Sequence, residues 1–348
     1  MWNQVAKVLV SIVLGVLLIN TLRRGGVPLL PPTSAFSQVR WWTIAGYLGL
    51  LWISWHLKGA RWRLLLRPVA EISSLQALNA VLIGQAAVLL LPFRLGETAR
   101  PVLIARGGRV SVLAAFGTVV AERIIDGLVL SLVLGAALLV VPTLVPLPDK
   151  VVGIPIAVSA LRGYAWSFLV VFAVAFGVIV SFHAARELGV KIIHVAFGRI
   201  SPRLAKLVAS TLERFADGLS FFRDRSLALQ FLLETLAYWL FFVLALWLLG
   251  WGTGVVHADH SGMSFGEACA ITGMLGIAAS LPGPPGLIGL FQAGAFAAMT
   301  MYFPAEIVKG PGSAFVFLLY VLQLGLTMLA AALALLVNIV RAPSRTAS

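Results

Sequence analysis

The sequence predicts an all-α membrane protein: a polytopic transmembrane helical bundle of about six full spans plus two re-entrant or broken-helix hairpins of opposite orientation. Composition is the first observation behind this. Of 348 residues, 60% are hydrophobic and only 11% charged, with mean hydropathy +0.99, whereas a soluble globule needs about a quarter of its residues charged to solvate its surface. The second is the recurrence of apolar runs near the roughly 20 residues that cross a hydrocarbon core. The third is a pair of shorter apolar runs, each stopped by proline.

Val5 to Leu22 is the first run. Arg23, Arg24 and a Pro-rich stretch follow it in place of a small-residue cleavage site, so it reads as a retained span, not a removed signal peptide. Trp41–Leu57, Val112–Val141, Gly163–His183, Leu227–Gly250 and Ser313–Val340 supply five more. The whole chain, 1–348, is expected to form a single integral-membrane domain.

The shorter runs are Leu75–Leu91, closed by Pro92, and Gly266–Leu281, closed by Pro282-Gly283-Pro284-Pro285-Gly286. At 1.5 Å per residue they reach about 24–26 Å, less than a core of about 30 Å. Clustered prolines cannot continue a helix, and non-helical backbone at membrane depth is tolerated only inside protein or along a wet cavity. Hairpins over 75–109 and 266–301 are therefore expected, and interrupted segments in both halves of a chain point to a transport site.

Charge orients the chain. It carries 26 Lys and Arg against 13 Asp and Glu, a formal net charge of +13. In a membrane protein that surplus marks cytoplasmic segments and anionic lipid, and no nucleic-acid partner is expected. Lys58–Arg109 holds eight basic residues, and 184–226 holds eight against four acidic ones, while 255–267 has no Lys or Arg. Placing the basic segments in the cytoplasm puts both termini there, in the inner (plasma) membrane, although Arg23, Arg24 and Arg40 then fall outside. The hairpins would enter from opposite sides and meet at their tips. The basic segment 184–226 repeats Leu204, Leu207, Val208, Leu212, Phe215, Leu219 and Phe222 at helical spacing, which suits an amphipathic helix on the inner leaflet or a solvated helix packed on the bundle.

Three polar constellations stand out. Arg94, Glu97 and Arg100 follow the first break at spacings of three; a guanidinium fork donates two parallel hydrogen bonds to a phosphate, while the competing reading is a self-satisfied ion pair. Glu122, Arg123 and Asp126 lie inside an apolar run, the carboxylates on one face and the first hairpin's arginines their nearest cations. Such a pair permits a proton-coupled cycle or serves as a structural salt-bridge lock. The third is the second break, with Pro282, Gly283, Pro285, Gly286 and Gln292: glycines allow close approach, a helix start offers N–H groups to an anion, and Gln292 can donate and accept.

In order and spacing, Leu91-Pro92-Phe93-Arg94-Leu95-Gly96-Glu97-Thr98-Ala99-Arg100-Pro101, then Ala121-Glu122-Arg123-Ile124-Ile125-Asp126-Gly127, then the break ending in Gly289-Leu290-Phe291 resemble the lysylphosphatidylglycerol synthase transmembrane (flippase-like) family. The resemblance implies lipid translocation, with Arg94, Glu97, Arg100, Glu122, Arg123 and Asp126 as the polar core. It implies a stand-alone member without the synthase domain, since that soluble domain needs some hundreds of residues and eight follow Val340. The chain departs from the family where Pro284 and Leu287 stiffen the break and Gln292 stands in place of an acid.

The chain is thus expected to be a lipid translocase, flippase or scramblase-like, that moves a polar or charged headgroup between leaflets, and not an enzyme. The alternative is an accessory or scaffold protein presenting lipid to a separate lipid-modifying enzyme. Partners would be membrane lipids, whether anionic, aminoacylated, hopanoid or glycolipid, and oligomerisation is compatible with the sequence. No cofactor, metal or catalytic residue is expected: Cys269 is the only cysteine, the five histidines lack zinc-protease spacing, and no phosphate-binding loop occurs. Glu234, inside an apolar span, is a secondary candidate, and Trp41, Trp42, Trp52, Trp55 and Trp62 read as an interfacial belt and packing residues.

Overall fold

The computed structural model describes residues 30–106, 108, 110–151, 157–184, 217–218, 220–281 and 283–340, with a few positions between 13 and 24. Most of the expected first span, nearly all of the amphipathic repeat in 184–226, and Pro282 lie outside the described residues. Within them the regular structure is helical apart from two isolated bridges, Lys150 with Ala157 and Val256 with Gly262.

The helices are α1 (Trp42–Leu66), α2 (Ser74–Leu90), α3 (Ala99–Ala105), α4 (Val112–Val140), α5 (Ala160–Ala184), α6 (Arg225–Gly252), α7 (Phe265–Ser280), α8 (Leu290–Tyr302), α9 (Ala305–Lys309) and α10 (Pro311–Val340). Several starts are set by short polar side chains that accept from the first free backbone N–H groups. Ser111 accepts from Ala114 N and Asp224 from Ser226 N. Ser73 with Gln76 and Ser264 with Glu267 form reciprocal capping boxes. The α2 helix stops just before Pro92, and α7 stops before the Pro-Gly stretch, as the missing proline donors require.

Four helical stretches are long and apolar enough to cross a membrane: α4, the Ala160–Val178 part of α5, α6, and the run Ala305–Val340 that joins α9 to α10. The α1 helix is long enough, at 25 residues, but is not among them, because tryptophans, His56, Lys58, Arg61 and Arg63 dilute its apolar run. It does not end at Leu57, as the apolar pattern suggested, but continues for nine more residues to Leu66. Helix persists through Lys58 and Arg61 because both charges are buried against partners on other elements.

The bundle has two poles. At one, the start of α1 meets the end of α6 through Arg40 N donating to Gly252 O at 2.7 Å, and the loop after α4 meets the end of α8 through Leu144 N donating to Met301 O at 2.9 Å. At the other, Arg63 near the end of α1 donates to Ile72 O and to Ser74 Oγ at the start of α2, and Asn79 donates to Asn338 near the end of α10 at 2.9 Å. The hairpin α2, 3-10 turn Pro92–Thr98, α3 rises from this second pole. The hairpin α7, 3-10 turn Pro285–Leu287, α8 descends from the first. Their turns touch in the interior.

Close helix contact depends on small residues. A Cβ at Gly294 would sit 2.8 Å from Ala278 Cβ and 3.0 Å from Met274 O, so α8 lies flat on α7 only with glycine there. Two apolar cores result, one around Leu246, Phe296 and Phe315, the other around Trp62, Val81 and Phe231.

Candidate functional site

Between the two cores lies a network of charges that ties three helices together. Arg61 of α1 is fully buried and grips Asp126 with both nitrogens, Nη1 to Oδ1 at 2.5 Å and Nη2 to Oδ2 at 2.7 Å. The same Nη2 reaches Glu122 Oε1 at 3.1 Å, and Nη1 reaches Thr235 Oγ1 of α6 at 3.3 Å. Arg100 of α3 holds Glu122 in the same two-pronged way, at 3.1 and 2.7 Å. Arg123 adds a third guanidinium, 3.0 Å from Glu122 Oε1 and 3.9 Å from Asp126 Oδ2. Trp239 Nε1 donates to Asp126 Oδ1 at 3.2 Å.

Aromatic faces complete the enclosure. The Arg61 guanidinium lies 4.5 Å from the Tyr238 ring centroid and Arg100 lies 4.3 Å from that of Trp62, both within range of a cation–π attraction. Two-pronged geometry with aromatic cover suits buried guanidinium, which is planar and weakly hydrated compared with ammonium. Burying ions is costly unless each lone pair and proton finds a partner, and Glu122 meets that condition by accepting from three arginines.

Nearer the break, Arg94 takes a left-handed backbone, φ 58°, uncommon outside glycine. Its guanidinium folds back on Glu97, Nε to Oε1 at 2.8 Å. Gly96 is required at this turn, since a Cβ there would collide with the backbone of Ala87 and Val88 in α2.

Beside the network is a cavity of about 190 Å³. One wall is polar and cationic, with Lys58, Arg94, Arg100 and Arg123, together with Glu97 and Gln85; the other is largely apolar, with Leu275, Ala279, Leu287, Phe291 and Leu324. Tyr320, Gln323 and Thr327 of α10 and Thr272 of α7 add uncharged polar groups. Across network and cavity, Lys58, Arg61, Arg94, Arg100 and Arg123 face Glu97, Glu122 and Asp126, five cationic side chains to three carboxylates.

The model of the lysylphosphatidylglycerol synthase transmembrane region matches residues 4–331. The chain belongs to this family. Neither the curated proteins nor the solved structures gave a match. As a member of the lysylphosphatidylglycerol synthase transmembrane family, the chain is a multi-pass membrane protein related to lipid modification or transport.

Within this family member the sequence-selected residues fall into three groups. Arg94, Glu97, Arg100, Arg123 and Gly286 line the cavity. Glu122 and Asp126 stand behind it, buried and wholly engaged with arginines. Gly283, Pro285 and Gln292 do not line it. Gln292 is buried and its Oε1 accepts from Gly289 N at 2.8 Å, satisfying one N–H at the start of α8. Glu234 joins neither group; its Oε1 accepts from Gln230 at 3.1 Å. Of the tryptophans read as belt and packing, Trp62 is fully buried and donates to Thr118 Oγ1 at 3.1 Å, whereas Trp41 and Trp42 are exposed.

Sequence reasoning missed Lys58 and Arg61. Helical phase held the signal: Trp55, Trp62, Leu65 and Leu66 continue the buried face past Leu57, so charges interleaved with them lie within the helix, not after it. Thr272 and Gln323 were missed because a single polar residue in an apolar run carries no motif.

Proposed function

We propose that the protein is a lipid translocase that passes a polar or charged headgroup between leaflets through its interior while the acyl chains stay in lipid. One observation carries this reading: the tips of two helical hairpins rising from opposite poles meet at a cavity with one cationic and one apolar wall. An amphiphile needs both walls. At about 190 Å³, the space is below the roughly 300–1,000 Å³ of drug-sized pockets and suits a headgroup without its chains. The paired breaks correspond to the discontinuous helices that mark transport sites in other membrane proteins.

In this reading the hairpins are re-entrant, the pole bearing Arg63, Arg67 and Arg106 faces the cytoplasm, and the site is a binding site without a catalytic residue. Glu122 and Asp126 act as a scaffold, not as an acid/base pair. Reconstitution tests it. Proteoliposomes carrying tail-labelled anionic, zwitterionic and glycosylated lipids are exposed to a membrane-impermeant quencher. The expected result is loss of inner-leaflet fluorescence for at least one lipid class beyond protein-free vesicles. Unchanged exchange for every class overturns the proposal.

A further inference from the structure

The most buried cation facing the cavity that has no acidic partner is not an arginine. Arg61 and Arg100 each give both terminal nitrogens to carboxylates, Arg94 is folded onto Glu97, and Arg123 lies 3.0 Å from Glu122. Lys58 differs. It is 6% exposed, lines the cavity, and its Nζ has one hydrogen bond, 3.0 Å to the neutral amide oxygen Gln85 Oε1. No carboxylate lies within 4 Å of it among the described residues. The Tyr238 ring, centroid 5.6 Å away, offers weak compensation.

Withdrawing an ammonium from water without an opposite charge is costly. Five side-chain atoms of cavity-lining residues lack partners: Gln85 Nε2, on the amide that Lys58 holds, Arg100 Nε, Arg123 Nε, Gln323 Oε1 and the Thr272 hydroxyl, the last in a residue 1% exposed. The Lys58 amine with its spare donors, the Gln85 amide and the Thr272 hydroxyl thus border one cavity with hydrogen-bonding capacity unused.

We infer that Lys58 is the residue that selects an anionic ligand, contacting a phosphoryl or carboxylate oxygen with support from Gln85 and Thr272, while the arginines hold the wall in place. This rests on reading the cavity as a headgroup site, and it names the residue on which discrimination among lipids depends. Lys58 suits the task because its ammonium is a compact charge on a flexible stem, able to follow a moving group, whereas the paired guanidiniums are fixed.

The test measures binding apart from movement. Purified full-length protein in detergent is titrated with a short-chain phosphatidylglycerol, the matching diacylglycerol and inorganic phosphate. Wild type is compared with K58Q, K58M, K58R and R123Q, and folding is checked by thermal unfolding. Wild type is expected to bind the anionic lipid at least tenfold more tightly than the neutral one. K58Q and K58M should erase that ratio, and K58R should restore most of it. Lysine-dependent competition by inorganic phosphate identifies a free anion as a sufficient ligand; its failure to compete assigns the site to a lipid-borne group. A preference that survives in both folded neutral variants, or that is lost in R123Q but kept in K58Q, overturns the inference. Lysine-dependent binding in a protein that moves no lipid in vesicles sinks the translocase reading and leaves the role of Lys58 standing.

Discussion

Arg61 on α1 and Asp126 on α4, 65 residues apart in the chain, form a two-pronged ion pair at 2.5 and 2.7 Å in which the arginine is wholly shielded from solvent. The pair fixes the angle of α1 against α4 and leaves Arg61 Nη2 within reach of Glu122. The floor of the cavity is thus built from long-range electrostatics, not from a local motif.

Breaking that pair on one side leaves a buried charge uncompensated, which costs about 3–5 kcal/mol. D126N and R61Q should each lower the thermal unfolding midpoint markedly in detergent, and the R61M/D126L double variant should be closer to wild type than either single variant. Differential scanning fluorimetry checks the order. A double variant worse than both singles would show that the network does more than satisfy its own charges.

Gly96 packs against backbone, not against a side chain that can yield. G96A should therefore cost about 1–3 kcal/mol, as overpacking does, and should push the Pro92–Thr98 turn away from α2. Protease sensitivity within this turn, compared with wild type, reads out the shift.

Gln292 closes the start of α8 through its side-chain oxygen. At a pH low enough to keep the carboxyl neutral, Q292E can accept the same bond and should be more stable than a variant without an acceptor, because burial penalises only the ionised carboxylate. Q292L leaves a buried donor unpaired and should lose about 1–3 kcal/mol. Equal unfolding midpoints for the two variants would refute this role.

At the other pole, Glu267 performs two tasks. It caps α7 by accepting from Ser264 N at 2.7 Å, and its other oxygen lies 2.8 Å from His257 Nε2, whose ring stacks on Phe303. E267Q retains the capping box, since Gln serves there as well as Glu, but loses the carboxylate's contact to the loop. E267A loses both. Hydrogen exchange should rise over 253–264 in E267Q, and over that loop together with the first turn of α7 in E267A.

Much of the frame was readable from the chain. Proline placement located both breaks, since α2 and α7 each stop just ahead of one. The partners of Glu122 were only half legible. Arg100 was foreseeable because it follows the first break closely, but nothing local links Arg61 to residues 61 and 65 positions away. An apolar-run criterion also ends a span at the first charge, although a helix continues whenever its charges are paired inside the protein, and so Lys58 and Arg61 were placed outside the span that contains them. Gln292 was ambiguous for a different reason: a polar side chain beside a Pro-Gly break serves a ligand or a helix start equally well, and its bond to Gly289 N becomes visible only in the structure.

The second break has a mechanical consequence. Gly286, Leu287 and Gly289 have φ values of 69°, 55° and 87°, so three of four successive residues lie in the left-handed region, two of them glycines that adopt other conformations at little steric cost. The opposite wall is clamped, since Glu122 is held at once from α1, α3 and α4. The cavity therefore has one clamped wall and one wall built on permissive backbone, and under the proposed translocation a headgroup would be accommodated by displacement of Leu287 and Phe291 against stationary arginines. The Tyr320 hydroxyl, which donates to Gly286 O at 2.9 Å, is the catch that such a displacement has to release.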